Sequence, residues 1–265
     1  MKNKSIGIFD SGAGGLTVVR EVVNTLPNES IIYLGDTARI PYGTRSKTVV
    51  TKFATELVEF LLKQDVKILV AACNTISATC LEEIQRISPV PIVGVVKPAA
   101  RAAAAATKVN KIGVIGTRGT IGSGVYEKEL KALKPEVEAL AQACPLFVPI
   151  AEEGMGDSEV ARLTAKQYLK VFEGTGIDTL ILGCTHYPLL KNVIQEVVGE
   201  NITLVDSAKP TAEELKQTLE EKNLLNDGEP VKNKFFVTDA PERVFEIADS
   251  FLGRKVIPSL EKIEL

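Results

Sequence analysis

The stretch ILVAACNT, residues 68–75, is an apolar run that ends in a cysteine followed by short polar residues. The same pattern returns as TLILGCTH at residues 179–186. A second pair of similar segments, IGIFDSG from residue 6 and IGVIGTRG from residue 112, is separated by nearly the same number of residues. We infer an internal repeat of two similar lobes. Each lobe begins with a strand that runs into a polar turn, and each later presents a cysteine at the end of a strand.

Short apolar runs alternate with longer amphipathic stretches along the chain, which is typical of β-α-β units and a parallel sheet. Residues 46–64 have the three-and-four apolar spacing of a helix buried on one face, and residues 97–108 predict a helix that leads into the second lobe. The predicted strands are IGIF (6–9), IIYLG (31–35), ILVAA (68–72), IVGVV (92–96), KIGVIG (111–116), LFVPI (146–150), TLILG (179–183) and ITLVD (202–206). The predicted fold class is α/β, with two similar doubly wound, mainly parallel-sheet domains related by pseudo-twofold symmetry.

The two cysteines at strand ends, Cys73 and Cys184, are the first candidate functional residues. In parallel sheets ligands bind beyond the carboxyl ends of the strands, so two lobes that face each other would direct both thiols into one cleft. Each cysteine is predicted to lie at a helix N-terminus, where the helix dipole and free amides stabilise a thiolate and lower the thiol pKa. One thiolate that removes a proton from a carbon and one thiol that returns a proton to the opposite face would invert that carbon.

Plain packing is the alternative for every cysteine, because cysteine is among the residue types most often buried. Cys80 lies two helical turns beyond Cys73, and Cys144 precedes a predicted strand, so we interpret both as packing residues. None of the four cysteines forms a C-x-x-C pair, and their even number carries little information about disulfides in a reducing compartment.

The glycine-rich turn FDSGAGGL, residues 9–16, has two interpretations. A glycine turn after a strand can bind phosphates, and Asp36 at the end of the next strand resembles a ribose-binding acid, so a nicotinamide site is one hypothesis. The third glycine of that fingerprint is replaced by Thr17, and Asp10 would place a negative charge beside a pyrophosphate. We therefore favour proton transfer for Asp10 and a contact with a substrate carboxylate for Ser11. Helix capping is the alternative for both residues.

His186 is the one histidine of the chain, and it follows Cys184 by two residues. It is placed to assist deprotonation of that thiol, and a purely structural imidazole is the alternative. A zinc site formed by Cys73, Cys184 and His186 is a further alternative, but the ligand spacing matches no standard structural site. We predict neither a metal nor a cofactor.

The composition is typical of a soluble globular protein. Apolar residues make up 45% of the chain, charged residues 25%, and the net charge is -3. A nucleic-acid partner is disfavoured because it would require a clustered basic surface. The longest apolar runs are far shorter than the roughly 20 residues of a membrane-spanning helix, and Asp10 interrupts the N-terminal run in a way that disfavours a signal peptide. We expect a cytoplasmic protein without a membrane partner.

Five motifs in order along the chain, FDSGAGGLTV, LGDTARIPYG, AACNT, CPLFVP and LGCTHYPLL, resemble those of the glutamate racemases within the wider aspartate/glutamate racemase group. The resemblance implies two α/β domains, residues 1–97 with 207–265 and residues 98–206, and an active site in the cleft between them. It implies cofactor-independent interconversion of L-glutamate and D-glutamate, which supplies D-glutamate for peptidoglycan synthesis. It also implies a homodimer.

The same resemblance implies roles for individual residues. Cys73 matches the thiol that acts on the D-enantiomer, and Cys184 matches the thiol that acts on the L-enantiomer. The supporting acid–base groups would be Asp10, His186 and Glu152. Glu153 lies beside Glu152 in the sequence. The alternative for either glutamate is a solvated charge in a loop instead of a supporting acid–base group. The residues on the substrate-contact motifs are Asp10, Ser11, Tyr42, Gly43, Asn74, Thr75, Thr185 and His186, of which Tyr42 and Gly43 would bind through backbone amides.

Two other functions fit the same residues less well. A related racemase or isomerase would act on aspartate, a hydantoin or maleate, although the CTH motif favours glutamate. A non-enzymatic alternative is a two-lobed binding protein that closes on a small acid. In a binding protein the thiols of Cys73 and Cys184 would be dispensable.

Overall fold

The chain folds into two parallel sheets with helices on both faces of each. The computed structural model describes residues 2–229, 232–252 and 259–265. The strands are β1 Ser5–Asp10, β2 Ile31–Gly35, β3 Val66–Ala71, β4 Ile92–Gly94, β5 Lys111–Gly116, β6 Glu138–Ala143, β7 Thr179–Gly183, β8 Thr203–Asp206, β9 Lys234–Val237 and β10 Glu261–Lys262. The helices are α1 Leu16–Thr25, α2 Lys47–Leu62, α3 Asn74–Thr79, α4 Leu81–Ile87, α5 Val96–Ala106, α6 Arg118–Gly122, α7 Val125–Leu133, α8 Phe147–Glu152, α9 Glu159–Leu169, α10 Lys191–Val198, α11 Ala208–Glu221 and α12 Pro241–Leu252.

Four strands of the first sheet, β2-β1-β3-β4, correspond in order to the four strands of the second, β6-β5-β7-β8, and both sheets are parallel, which confirms the predicted α/β fold class. The first sheet has the order β10-β9-β2-β1-β3-β4, and the second sheet has the order β6-β5-β7-β8. In the first sheet Ile6 pairs with Ile68, and in the second Ile112 pairs with Thr179. These are the four residues at which the repeated segments of the sequence begin. The repeat therefore extends to the register of the central strands.

Burial on both faces explains why the central strands are continuous apolar runs. Alternate residues of β1 face opposite sides, so Ile6 and Ile8 pack with α1, α11 and α12, whereas Phe9 packs with α2 and α4. The second sheet is covered in the same way, by α5 and α7 on one face and by α8, α9 and α10 on the other. Among the described residues, none of the helices combines the length and the apolar character needed to cross a membrane.

Two predictions around residues 138–150 are wrong. The apolar run at 146–150 begins helix α8 rather than forming a strand, since its buried residues Phe147, Ile150 and Ala151 have helical spacing and Pro149 lies in the first turn, where proline is tolerated. The missing strand is β6, whose sequence EALAQA favours a helix and carries no strand pattern. Pairing with β5 overrides that preference. Cys144 therefore follows a strand instead of preceding one.

Two short strands near the C-terminus, β9 and β10, have no counterpart in the sequence prediction. Strand β9 pairs with β2, and β10 pairs with β9, so both belong to the first sheet. Residues 230–231 and 253–258 of the predicted returning segment lie outside the described residues. The exact domain boundaries, after residues 97 and 206, stay a prediction.

Candidate active site

Cys73 lies where β3 gives way to α3. It precedes the first residue of α3 in extended conformation, with φ -72° and ψ 121°, and its side chain is buried. Its Sγ donates a hydrogen bond to Ser11 Oγ at 3.4 Å. Because β1 and β3 are neighbours in the sheet, the turn after β1 and the turn after β3 meet at the same edge. The expected strand-to-helix junction is present at Cys73.

Cys184 lies at the equivalent end of β7, and it is also buried. A 3-10 turn, Tyr187–Leu190, follows it instead of a predicted α-helix. The His186 side chain folds back, so that Nδ1 is 3.9 Å from Cys184 Sγ. On the other side of the ring, His186 Nε2 is 3.0 Å from Glu152 Oε1. The thiol, the imidazole and the carboxylate thus form a continuous chain of polar contacts.

The two neighbouring glutamates of the sequence prediction have separate surroundings. Glu152 is the last residue of α8, and its side chain is 16% exposed beside His186. Glu153 is 62% exposed and forms an ion pair with Arg243 of α12 at 2.6 Å. The structure therefore brings Glu152, and not Glu153, to the imidazole.

Asp10, the last residue of β1, is fully buried. Its Oδ2 accepts hydrogen bonds from the backbone N–H groups of Gly12 at 3.2 Å and Gly15 at 2.9 Å. These bonds hold the turn before α1, so part of the capping interpretation is right. Its Oδ1 has no hydrogen-bond partner within the described parts of the chain. A buried carboxylate oxygen without a partner is costly, and such groups are frequent at functional sites.

Tyr42 and Gly43 both line the site. The Tyr42 hydroxyl is bonded to Asp36, so it already has a partner within the protein. Asp36 also accepts from Arg39 Nε at 2.6 Å and from Thr238 Oγ1 at 2.8 Å. Being buried and bonded to these groups, Asp36 is not placed to bind a ribose, as the nicotinamide hypothesis requires. Its observed role is to hold the turn that contains Gly43.

One small cavity of about 30 Å³ gathers most of the predicted residues. Those that line it are Ser11, Tyr42, Gly43, Cys73, Asn74, Thr75, Glu152, Cys184, Thr185 and His186. Asp10 does not line the cavity, although Ser11, the next residue in the chain, does. Four lining residues were missed by the sequence prediction, namely Ile40, Pro41, Thr117 and Val148.

A signal for one of the missed residues is present in the sequence. The repeat that aligns IGIFDSG with IGVIGTRG places Thr117 opposite Ser11, at the turn after the first strand of each lobe. Thr117 Oγ1 lies 2.9 Å from Thr75 Oγ1, and a Cβ atom on Gly43 would lie 2.4 Å from Thr117 Cβ. The turn of the second sheet therefore packs directly against the first. Ile40, Pro41 and Val148 are apolar and carry no comparable signal.

The expected lowering of the thiol pKa is wrong for Cys73. Burial, together with the nearby charge of Asp10, raises the pKa of Cys73 to about 12, although the bond to Ser11 opposes this shift. The dipole of the short helix α3 does not compensate for the loss of hydration. Burial likewise raises the pKa of Asp10, with partial compensation by the charge of His186. This side of the cavity therefore favours a protonated Cys73.

On the other side of the cavity, the surroundings of His186 favour its charged form. Burial lowers the pKa of His186, but its bonds to Cys184 and Glu152 raise it more, to about 10. Burial acts to raise the pKa of Glu152, but the bond to His186 and the neighbouring positive charges together outweigh burial, so the pKa of Glu152 lies below its ordinary value. His186 is thus a protonated group beside Cys184 at neutral pH. Among the described residues, no group of three His, Cys, Asp or Glu side chains is arranged to hold a metal ion.

Comparison with known proteins identifies the family. The Asp/Glu/Hydantoin racemase family model matches residues 6–215. A glutamate racemase of Geobacter metallireducens is 52% identical over 96% of this chain and 94% of its own length, and one of Syntrophus aciditrophicus is 47% identical over 98% and 96%. The crystal structure of a Bacillus anthracis glutamate racemase has a TM-score of 0.96 and 43% identity, covering 100% of this chain and 99% of that one. A Francisella tularensis glutamate racemase in complex with D-glutamate has a TM-score of 0.92 and 38% identity, covering 100% and 98%. With so long a family match and such similar relatives, this chain belongs to the Asp/Glu/Hydantoin racemase family of isomerases.

Proposed function

We propose that this protein interconverts L-glutamate and D-glutamate without a cofactor, with Cys73 and Cys184 as its two acid–base groups. The observation that carries the proposal is the position of the thiols: each of two sheets with four corresponding strands has a cysteine at the end of one strand, and both cysteines line a single cavity. The choice of glutamate is supported by relatives of 52% and 47% identity that are named glutamate racemases.

The reaction follows from two sulfur atoms on opposite sides of one carbon. The thiolate of one cysteine takes the Cα proton, and the electron pair left on Cα spreads into the α-carboxylate. The thiol of the other cysteine then adds its proton to the opposite face, which inverts the centre. After one turnover the two sulfurs have exchanged protonation states. Each proton transfer is general acid–base catalysis by a positioned side chain.

The substrate would be held largely by neutral donors. The cavity is lined by the hydroxyls of Ser11, Thr75 and Thr185, by the Asn74 amide, and by the backbone at Gly43. Hydrogen bonds to the α-carboxylate become stronger as negative charge develops on it, so these donors stabilise the carbanion-like transition state more than the bound substrate.

The supporting groups differ on the two sides. Cys184, which we assign to the L-enantiomer, has His186 and Glu152 behind it. Cys73, which we assign to the D-enantiomer, has Ser11 in contact and Asp10 close enough to affect its pKa. We propose that His186 exchanges a proton with Cys184 and that Asp10 does the same for Cys73.

Substrate access requires the two sheets to move relative to each other. A cavity of about 30 Å³ holds about one water molecule, which is far less than glutamate needs. A neighbouring cavity of about 320 Å³ shares six lining residues with it, namely Ile40, Pro41, Gly43, Thr117, Val148 and Glu152. We propose that glutamate enters through the larger cavity and that the cleft widens to admit it.

The cellular part of the proposal rests on the motif resemblance. It comprises supply of D-glutamate for peptidoglycan synthesis, a cytoplasmic location and a homodimer. Sedimentation or light scattering on the purified chain tests the dimer. A monomer at micromolar concentration would contradict it.

The decisive experiment uses the purified protein, shown by its absorption spectrum to be free of pyridoxal phosphate. Each enantiomer of glutamate and of aspartate is incubated with it in deuterated water, and optical rotation and Cα deuterium are followed separately. We expect glutamate to racemise with deuterium at Cα, and aspartate to react at least about tenfold more slowly. Binding of glutamate without exchange would overturn the proposal and favour the two-lobed binding protein.

A further inference from the structure

A tyrosine outside all the predicted motifs joins the two sheets behind the cavity. Tyr126 is the second residue of α7, which packs on the second sheet, and only 1% of its surface is exposed. Its hydroxyl donates a hydrogen bond to Asn74 Oδ1 at 2.6 Å. Asn74 directly follows Cys73 at the edge of the first sheet, so this short, buried bond connects the two halves of the molecule.

The ring of the same tyrosine lies against the other catalytic strand end. A Cβ atom on Gly183, the residue before Cys184, would lie 3.1 Å from Tyr126 Cε2 and 2.7 Å from the carbonyl oxygen of Ile115. The Ile115 carbonyl oxygen leaves no room for a Cβ atom at this position, and the bare glycine lets the ring lie close to the strand. Tyr126 therefore contacts the residue after one thiol and the residue before the other.

The hydrogen bond determines which end of the Asn74 amide is available to a ligand. An amide oxygen accepts and an amide nitrogen donates two hydrogens, so the Tyr126 hydroxyl must be the donor to Asn74 Oδ1. Asn74 Nδ2 donates to Ser207 Oγ at 3.3 Å, which uses one of its two hydrogens. Burial raises the pKa of Tyr126 well above its ordinary value, so the hydroxyl keeps its proton. Asn74 lines the cavity, and within the described residues Ser207 is the one acceptor bonded to its Nδ2, so the second N–H is available to donate.

We propose that Tyr126 is a positioning residue for racemisation: its hydroxyl holds the Asn74 amide in the orientation that presents an N–H, and not the carbonyl oxygen, to the substrate carboxylate. This inference rests on the proposed function. Without the hydroxyl, Asn74 Oδ1 has lost its donor, and the amide can turn over. The oxygen would then face the carboxylate, and repulsion between the two would weaken binding of either enantiomer.

The test compares Tyr126→Phe with a matched control, Tyr187→Phe. Tyr187 is an equally buried tyrosine of the same half, and its hydroxyl donates to the Cys144 carbonyl oxygen at 2.8 Å, away from Asn74. We expect both variants to lose thermal stability to a similar extent. We expect only Tyr126→Phe to raise KM for L-glutamate and D-glutamate, by roughly tenfold, with a smaller change in kcat.

A double-mutant cycle with Asn74→Ala separates positioning from packing. If Tyr126 acts through Asn74, adding Tyr126→Phe to Asn74→Ala produces no further rise in KM. An unchanged KM in Tyr126→Phe, or a full additional rise in the double variant, overturns the inference while leaving wild-type racemisation intact. A wild-type protein that does not racemise glutamate overturns the proposed function instead, and the inference falls with it.

Discussion

The two halves of the molecule share their topology but not the groups that surround their thiols. Strand β1 ends in Asp10, whereas the equivalent last residue of β5 is Gly116. The second half obtains its carboxylate from a different place, the end of α8, and connects Glu152 to Cys184 through His186. A repeated sheet can therefore keep two sulfur atoms in equivalent positions while the titratable groups around each one diverge.

The difference matters because, in the proposed mechanism, one thiol gives a proton while the other takes one. Burial raises the pKa of Cys73 to about 12 with the charge of Asp10 adding to the shift, which favours the thiol. A protonated His186 stands beside Cys184. A racemase needs one base and one acid together, and two unlike environments supply them more readily than two identical ones.

Removing either thiol should cause the largest loss of activity among the variants that test this difference between the two halves. Because the enantiomers have equal free energies, any variant must lose kcat/KM equally in both directions. We expect Cys73→Ser and Cys184→Ser each to lower it by roughly 10²- to 10⁴-fold. Each variant should still exchange the Cα proton of one enantiomer without inverting it. Cys73→Ser should take up deuterium into recovered L-glutamate, and Cys184→Ser should take it up into recovered D-glutamate. Mass spectrometry of each recovered enantiomer measures this.

The control for the thiol variants is Cys80→Ser, which removes a buried cysteine that does not line the cavity. It should keep its racemase activity. Uptake into the same enantiomer in both active-site variants would contradict the assignment of one cysteine to each face.

The sheets also differ in an ion pair remote from the strand ends that hold the thiols. Lys67 of β3 and Glu29 form a buried pair, with side chains 1% and 2% exposed, and Lys67 Nζ also donates to the carbonyl oxygens of Lys2 and Leu224. Lys67→Met leaves a buried carboxylate without its partner, so the free energy of unfolding should fall by about 3–5 kcal/mol. Urea denaturation measures the change.

The matched pair of the second sheet is Lys111 with Glu138, whose side chains are 42% and 77% exposed. Lys111→Met should leave the free energy of unfolding nearly unchanged, because exposed ion pairs are screened by solvent. Equal losses in the two variants would show that burial does not distinguish the pairs.

Replacing Asp10 or His186 by asparagine should also affect the two enantiomers differently, but with smaller losses of activity than removal of a thiol. We expect Asp10→Asn and His186→Asn each to reduce kcat/KM by about 10²-fold. Asp10→Asn should mainly slow deuterium uptake into recovered D-glutamate, and His186→Asn into recovered L-glutamate. If both variants slow both exchanges equally, the supporting groups serve the cavity as a whole and not one thiol each.

The smallest effect concerns pH, and it separates the two neighbouring glutamates. His186 titrates at about 10 because Cys184 and Glu152 raise its pKa above the ordinary 6.5. Its contribution to stability is therefore fully present below pH 6.5 and is lost as the pH rises through about 10. Glu152→Gln should weaken this decline and move the alkaline limb of kcat/KM to lower pH, as measured by thermal melts and a pH–rate profile.

Glu153→Gln is the control for the pH prediction, because Glu153 is bonded to Arg243 and not to His186. Its pH–rate profile should match that of the wild type. An identical shift in the two glutamate variants would mean that general charge near the cleft, and not the bond to His186, sets the imidazole pKa.

The structure shows where sequence patterns are sufficient and where they fail. The strands with apolar runs buried on both faces were predicted correctly, and the repeat placed both cysteines at strand ends. The failures are β6, an edge strand with one partner and a helix-favouring sequence, α8, whose apolar run is short enough to resemble a strand, and the short strands β9 and β10, which the prediction lacks. The internal repeat aligns Thr117 with Ser11 and could have predicted it as a site residue, whereas no sequence pattern indicated Tyr126.

The sequence by itself determined the α/β class, the repeat and the two thiols at strand ends, because burial periodicity and turn chemistry act between residues close together in the chain. Only the tertiary structure decided that Glu152 and not Glu153 meets His186, that Asn74 is held by Tyr126, and that the pKa of Cys73 is raised. Those outcomes depend on desolvation and on hydrogen bonds between distant segments. No local pattern carries that information, since the partners lie far apart in the chain and meet only in the folded structure, either within one half, as Glu152 and His186 do, or across the two, as Tyr126 and Asn74 do.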